Sequence, residues 1–363
     1  MTGGAFIKGG VNIPYQLPHH WVQRTQAHIV VSINYRVGIM GFPNARGLNS
    51  QNLGILDQRM AHEWVRDNIE AFGGDPSKIT LWGQSAGAES ADFHGFAYYN
   101  DSIATGVVMQ SGTAFLPQKS YDFQNSNFTF VASHLGCGRM NATAELDCMR
   151  QKPVESIVNF VGRRTDNATE PALSFMPIPD NNIVFSNYTD RYAKGLVARA
   201  PAVVGTTSNE ASAIVGTNLT APTQELVEQM TLGSFVCPAH TTAELRDEKG
   251  LLTYRYQYAG NFSNLSPLPW LGAYHDADAP LFFGTFDDFS EGSELEARTS
   301  EVMQDLLLEF MKDPYNGPEQ MGWPESGTGR MLRLGVSEHA VLDIPTQEVD
   351  AACDGQGEYA SSL

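Results

Sequence analysis

The segment Ile79-Thr-Leu-Trp-Gly-Gln-Ser-Ala-Gly-Ala88 constrains this chain more than any other. Residues 79–82 form a short β-rich run that feeds directly into Gly83-Gln84-Ser85-Ala86-Gly87. A G-x-S-x-G run between a strand and small, helix-compatible residues predicts a nucleophile elbow. The backbone turns so sharply at the serine that only small neighbours fit, and the hydroxyl stands above the sheet. A bare match is also compatible with an ordinary Gly/Ser turn, so the rest of the chain has to supply the context.

That context is a series of short apolar strands alternating with helical segments. Residues 28–35 are β-branched and mostly apolar, which predicts a buried parallel-type strand. An irregular turn follows over 36–42. Residues 53–72 have helical spacing, with Leu53, Leu56, Met60, Trp64 and Ile69 near one stripe. Gly73-Gly74 ends that helix, and Asp75-Pro76 turns into the Ser85 strand. Further strands are predicted over 106–112 and over 202–210, the latter ending in a polar turn at Glu210. Residues 253–258 alternate, as a strand with two different faces does. His275 lies on the loop beyond it. Residues 294–312 read as a helix with Val302, Leu306, Leu307 and Phe310 on its core side, and a loop-rich tail is expected after it. The class is therefore α/β with a mainly parallel sheet. No repeat or linker divides the chain, so one domain over 1–363 is expected.

The 363 residues carry a net charge of −18, which disfavours nucleic acid and anionic membrane surfaces as partners. No apolar run approaches a membrane span, and no signal peptide is visible after Met1. The four cysteines, Cys137, Cys148, Cys237 and Cys353, make no C-x-x-C pair, so a zinc site is not expected. His19-His20 suggests metal binding, but no third ligand is near in sequence, and a surface loop is the expected reading. Sequons at Asn100, Asn127, Asn141, Asn167, Asn187, Asn218, Asn261 and Asn264 accompany an even cysteine count and favour a secreted glycoprotein.

A serine hydroxyl is a poor nucleophile until a base takes its proton and an acid orients that base. The chain offers Ser85, then Glu210, then His275, each at a predicted strand end or on the loop beyond it. Asp180 and Asp190 compete with Glu210, but only Glu210 directly follows a buried strand. Among the nine histidines, position favours His275. The oxyanion needs N–H donors already in place. Ala86 supplies one, and the Gly3-Gly4-Ala5 loop offers others, with Gly4 and Ala5 best placed.

The chain resembles the type B carboxylesterases, the cholinesterase-like and fungal-lipase-like α/β-hydrolases. The resemblance rests on Asn34-Tyr-Arg-Val-Gly-Ile-Met-Gly-Phe42, Asn52-Leu-Gly-Ile-Leu-Asp-Gln58, Trp64-Val-Arg-Asp-Asn-Ile69, Phe72-Gly-Gly-Asp-Pro76 and Gly83-Gln-Ser-Ala-Gly87. The run from Tyr256-Gln-Tyr-Ala-Gly-Asn-Phe-Ser263 to Gly272-Ala-Tyr-His275 is similar to secreted fungal members. The resemblance implies an α/β-hydrolase fold and a Ser85-Glu210-His275 triad. It also implies an oxyanion hole at Gly4, Ala5 and Ala86, and disulfides Cys137–Cys148 and Cys237–Cys353. No metal or organic cofactor is implied. The expected partner is a small-molecule or lipid ester, and the expected location is extracellular.

Three departures shape the expectation. The chain starts at the family's oxyanion loop, so N-terminal strands are expected to be missing, with an unpaired apolar edge beside residues 28–35. The segment between Glu210 and His275 is shorter than in the better-known members. Gln84 stands where the family often has glutamate, and nothing supports recognition of a quaternary ammonium, so no cholinesterase activity is expected. The expected function is a serine carboxylic-ester hydrolase, an esterase or lipase acting through an acyl-enzyme. The alternatives are a non-catalytic cholinesterase-like binding protein and an inactive truncated product.

Overall fold

Residues 1–216, 220–288 and 290–359 are described by a computed structural model. The sequon at Asn218 lies outside the described residues. Among the described residues, six strands form one sheet in the order β1-β2-β3-β4-β5-β6: β1 (Thr80–Gln84), β2 (Gly106–Gln110), β3 (Ala202–Thr207), β4 (Thr253–Tyr258), β5 (Arg330–Val336) and β6 (His339–Pro345). The first five run parallel, and β6 closes the far edge antiparallel to β5. The mainly parallel α/β class is borne out, as is the α/β-hydrolase arrangement.

The helices that position the site are α1 (His19–Thr25), α2 (Leu53–Asn68), α3 (Ala86–Ala97), α4 (Cys237–Glu248), α5 (Ala279–Phe283) and α6 (Glu294–Lys312). The period-2 alternation of the strands separates two cores. Val108, Val203, Tyr254, Tyr256 and Leu332 pack with Met303, Leu306, Leu307 and Phe310 of α6 on one face. Val107, Met109, Ala202 and Val204 pack with Ala88 and Ala91 of α3 and Ala239 of α4 on the other. The start of α6 is fixed by a capping box in which Ser293 and Glu296 satisfy each other's backbone amides.

Strand β4 has the two different faces expected of it, Tyr254, Tyr256 and Tyr258 on one and Thr253, Arg255 and Gln257 on the other, and both are buried. Its polar face survives burial because each side chain has a partner. Arg255 pairs with Asp350, Gln257 Nε2 donates to Tyr359 Oη (3.2 Å), and Arg246 Nε donates to Thr253 Oγ1 (3.0 Å).

Residues 28–35 do not form a strand. They run without a ladder partner, with Ile29 46% and Val31 42% exposed. A cleft of about 140 Å³ separates Ile29, Val31 and Ile33 from Thr80 and Trp82 on the outer edge of β1. β-branched composition favours an extended backbone, but a strand requires a neighbour to pair with. The unpaired apolar edge expected here is therefore present.

Helix α2 forms where periodicity predicts it, but its buried face differs. Met60 is 71% and Trp64 50% exposed, whereas Ile55, Gln58, Arg59 and His62 are buried. Gln58 is turned inward by α3, donating to Ser90 Oγ (3.1 Å) and lying 3.2 Å from His94 Nε2. The loop-rich tail is corrected too, since residues 330–345 form the β5–β6 hairpin. Both disulfides implied by the resemblance are present, Cys137–Cys148 and Cys237–Cys353, with Cα separations of 5.7 and 5.3 Å. No helix among the described residues is long and apolar enough to cross a membrane.

Candidate active site

Strand β1 ends at Gln84, and Ser85 adopts φ 55° and ψ −123° before α3 begins at Ala86. Such a backbone in a non-glycine residue is strained and persists only when its surroundings fix it. Here the Ser85 N–H donates to Gln110 O at the end of β2 (2.8 Å). The elbow glycines are dictated by close approach. A Cβ on Gly83 would lie 2.0 Å from Gly87 O, and one on Gly87 would lie 2.1 Å from Met1 O. The expected sharp strand-to-helix turn is thus formed, with Ser85 at its apex.

The N-terminal loop lies against this elbow, since a Cβ on Gly3 would stand 2.9 Å from Ser85 Cβ. Gly4, Ala5 and Phe6 have φ of 114°, 54° and 61°, and the turn is closed by Ile7 and Lys8 N–H donating to Gly4 O. Phe6 anchors it, fully buried and edge-on to Phe42 with ring centroids 5.3 Å apart. Among the described residues, the N–H groups of Gly4, Ala5 and Ala86 donate to no acceptor. An anion-binding nest needs donors free in this way.

Glu210 follows β3 and is fully buried; its Oε1 accepts from Thr207 N–H (2.8 Å). Its Oε2 lies 2.6 Å from His275 Nδ1, and the His275 N–H donates to Glu210 O (3.2 Å). Burial pulls the imidazole pKa down. The charge and hydrogen bond of Glu210, with Asp276 and Asp278 behind it, more than offset this, so His275 stands above the ordinary histidine value. Phe235 covers the ring at a centroid distance of 4.8 Å.

The other ring nitrogen holds a surprise. His275 Nε2 lies 3.1 Å from the Gln84 side-chain nitrogen, and among the described residues no hydrogen bond joins it to Ser85 Oγ. A carboxamide N–H donated to Nε2 favours the tautomer with its proton on Nδ1, facing Glu210. That is the tautomer a general base requires.

The loop bearing His275 is pinned from beneath. Asp278 is fully buried and accepts from Gln110 Nε2 (2.7 Å) and Tyr256 Oη (2.8 Å), while Gln110 Oε1 accepts from Trp82 Nε1 (3.0 Å). Burial pushes the Asp278 carboxyl up to about 6. Asp276, with φ 73°, accepts from Gln16 Nε2 (2.9 Å), and burial together with the Asp278 charge pushes it up to about 7. Sequence reasoning missed Gln84, Asp276 and Asp278 as partners of this loop. Gln84 had a usable signal, its adjacency to Ser85. Asp278 had none that would tie it to Gln110, 168 residues away.

The competing acids are occupied elsewhere. Asp180 Oδ1 accepts from the amides of Asn182, Ile183 and Val184, and Asp190 pairs with Lys194. His62 and His94 pack ring to ring in the core, and His240 bonds to Asp350.

Comparison with known proteins fits this geometry. A model of the carboxylesterase family matches residues 1–226. The chain is 44% identical over 344 residues to secreted lipase 5 of Gibberella zeae, covering 89% of this chain and 64% of that protein. It is 43% identical over 322 residues to a chlorogenic acid esterase of Aspergillus niger, covering 88% and 62%. It is also 35% identical over 226 residues to secreted lipase 1 of Botryotinia fuckeliana, covering 57% and 38%. The chain spans a little under two thirds of the length of the first two of these relatives. By its matched residues and these identities, the chain belongs to the carboxylesterase family.

Proposed function

We propose that this chain folds as a single domain and belongs to a secreted serine hydrolase that cleaves carboxylic esters through an acyl-enzyme. The observation that carries the reading is the 2.6 Å contact between His275 Nδ1 and the buried Glu210 carboxylate, in a loop whose other ring nitrogen touches the residue preceding Ser85. Two paired disulfides and relatives named as secreted lipases support an extracellular setting.

In this reading, Gln84 releases His275 Nε2 as substrate enters. Ser85 Oγ attacks the ester carbonyl, and Nε2 takes its proton. Glu210 steadies the imidazolium. The N–H groups of Gly4, Ala5 and Ala86 receive the oxyanion, and each such donor is worth about 10²–10³ in rate. His275 then protonates the leaving alcohol. Water, deprotonated by the same imidazole, attacks the acyl carbon; the bond to Ser85 Oγ breaks, the acid departs, and His275 returns the proton to Oγ.

The test is hydrolysis of p-nitrophenyl butyrate and p-nitrophenyl palmitate by the chain and its Ser85→Ala variant. Turnover in the first, reduced by about 10³–10⁶ in the variant, is expected. Equal turnover in both would remove Ser85 from the mechanism. The ratio of the two substrates separates a short-ester esterase from a lipase.

A further inference from the structure

Two adjacent histidines open α1, and nothing near them in sequence could complete a metal site. The fold supplies what the sequence lacks. Asp288, on the loop beyond α5, brings its Oδ1 to 2.8 Å from His20 Nε2 across a separation of 268 residues. The His19 ring lies beside that of His20, centroids 3.9 Å apart at 41°. One ligand atom from each of His19, His20 and Asp288 lies within 4.8 Å of the other two. Successive helical residues point about 100° apart around the axis, so a plain helix start does not by itself bring two neighbouring imidazoles together.

We propose that His19, His20 and Asp288 form a binding site for a divalent transition-metal ion of the zinc class. Two imidazole nitrogens and one carboxylate oxygen suit Zn²⁺, Ni²⁺ or Cu²⁺, whereas Ca²⁺ and Mg²⁺ prefer all-oxygen shells. Ligand bonds of about 2.0–2.2 Å set donor atoms roughly 3.3–3.6 Å apart in a tetrahedral shell, so the 2.8 Å His20–Asp288 contact opens slightly as the three atoms gather around the ion. The His20 and Asp288 side chains are partly exposed, 42% and 29%, so the change needs only side-chain rotation and an ion can enter from solvent. Water would complete the coordination.

The site would act as a brace, because it joins two segments that both lead to the catalytic loop. The stretch preceding α1 carries Gln16, whose Nε2 donates to Asp276, the residue after His275. On the other side, Thr285 Oγ1 donates to Tyr15 O (2.7 Å) three residues before Asp288. An ion held between His19, His20 and Asp288 closes the same seam a third time. The proposal does not depend on ester hydrolysis, since binding and stability can be read without a substrate.

The test is isothermal titration calorimetry with ZnCl₂ on chelator-treated protein, with thermal melts at matched zinc concentrations. Variants are His20→Ala, Asp288→Asn and, as a control on the far edge of the sheet, His339→Ala. One ion per chain is expected, with a raised Tm. Affinity should fall by at least about tenfold in His20→Ala and Asp288→Asn and stay unchanged in His339→Ala. The metal-free melts of the variants report whether they fold. Absence of zinc binding by the unaltered chain, or binding that both site variants retain in full, would overturn the proposal.

Discussion

The Gln84 side-chain nitrogen stands 3.1 Å from His275 Nε2, on the opposite edge of the ring from Glu210. The imidazole is therefore held from both sides, by a carboxylate that favours its cation and by a neutral amide that does not. Gln84→Glu puts a second negative charge against the ring. A carboxylate at this distance favours the imidazolium, so the acid limb of kcat/KM should move upward by roughly one pH unit. Turnover should then fall more at pH 6 than at pH 8. Because kcat/KM reports the free protein, a profile superimposable on the unaltered one would show that residue 84 does not touch the ring before substrate enters.

Glu210→Gln tests the other side. The Glu210 charge and hydrogen bond are what lift the His275 pKa against the effect of burial. A base must be neutral to accept a proton, so kcat/KM of the unaltered protein should rise with pH and reach its half-maximum above 6.5. In the variant that half-point should move to lower pH, and kcat should fall by about 10⁴, as expected when the acid no longer holds the tautomer. Activity measured between pH 5 and 9 gives both numbers. A lower kcat with an unmoved half-point would mean that Glu210 only orients the loop.

The two disulfides should contribute unequally. Cys237–Cys353 bridges a separation of 116 residues and ties the C-terminal segment to α4, from where Tyr359 Oη donates to Ser208 O just before Glu210. Cys137–Cys148 bridges only 11. Loop-closure entropy predicts about 4–5 kcal/mol for the long loop and about 3 kcal/mol for the short one. Urea unfolding of Cys237→Ser/Cys353→Ser and of Cys137→Ser/Cys148→Ser should therefore show the larger loss in the first pair. The reverse order would place the stabilisation in native packing around the buried Cys137 and its bridge to Cys148 rather than in the unfolded chain.

What could be read from the sequence follows from what each element depends on. β2, β3 and α6 carry their instructions locally, in apolar runs and a capping box, and they form where the pattern puts them. The elbow is legible because sterics at Gly83 and Gly87 admit no other residue. Residues 28–35 misled because a strand is a property of a pair, and composition describes only one member. Helix α2 misled because its inward face is polar and satisfied across the interface by α3, which no hydrophobic stripe reveals. β5 and β6 were missed because arginines and aspartate interrupt their alternation, and only the fold discloses partners such as Gln257 and Glu348 for Arg333. The order of Ser85, Glu210 and His275 was legible. The contacts that tune His275 join residues up to 260 positions apart and were not.

The most direct test of the central claim is covalent labelling of the folded chain with a fluorophosphonate, followed by mass spectrometry of its peptides. A serine activated by the His275–Glu210 pair should be modified once per chain, at Ser85, and His275→Ala should abolish the labelling while leaving the circular dichroism spectrum unchanged. A folded chain that leaves Ser85 unmodified, or that labels equally without His275, would contradict the account.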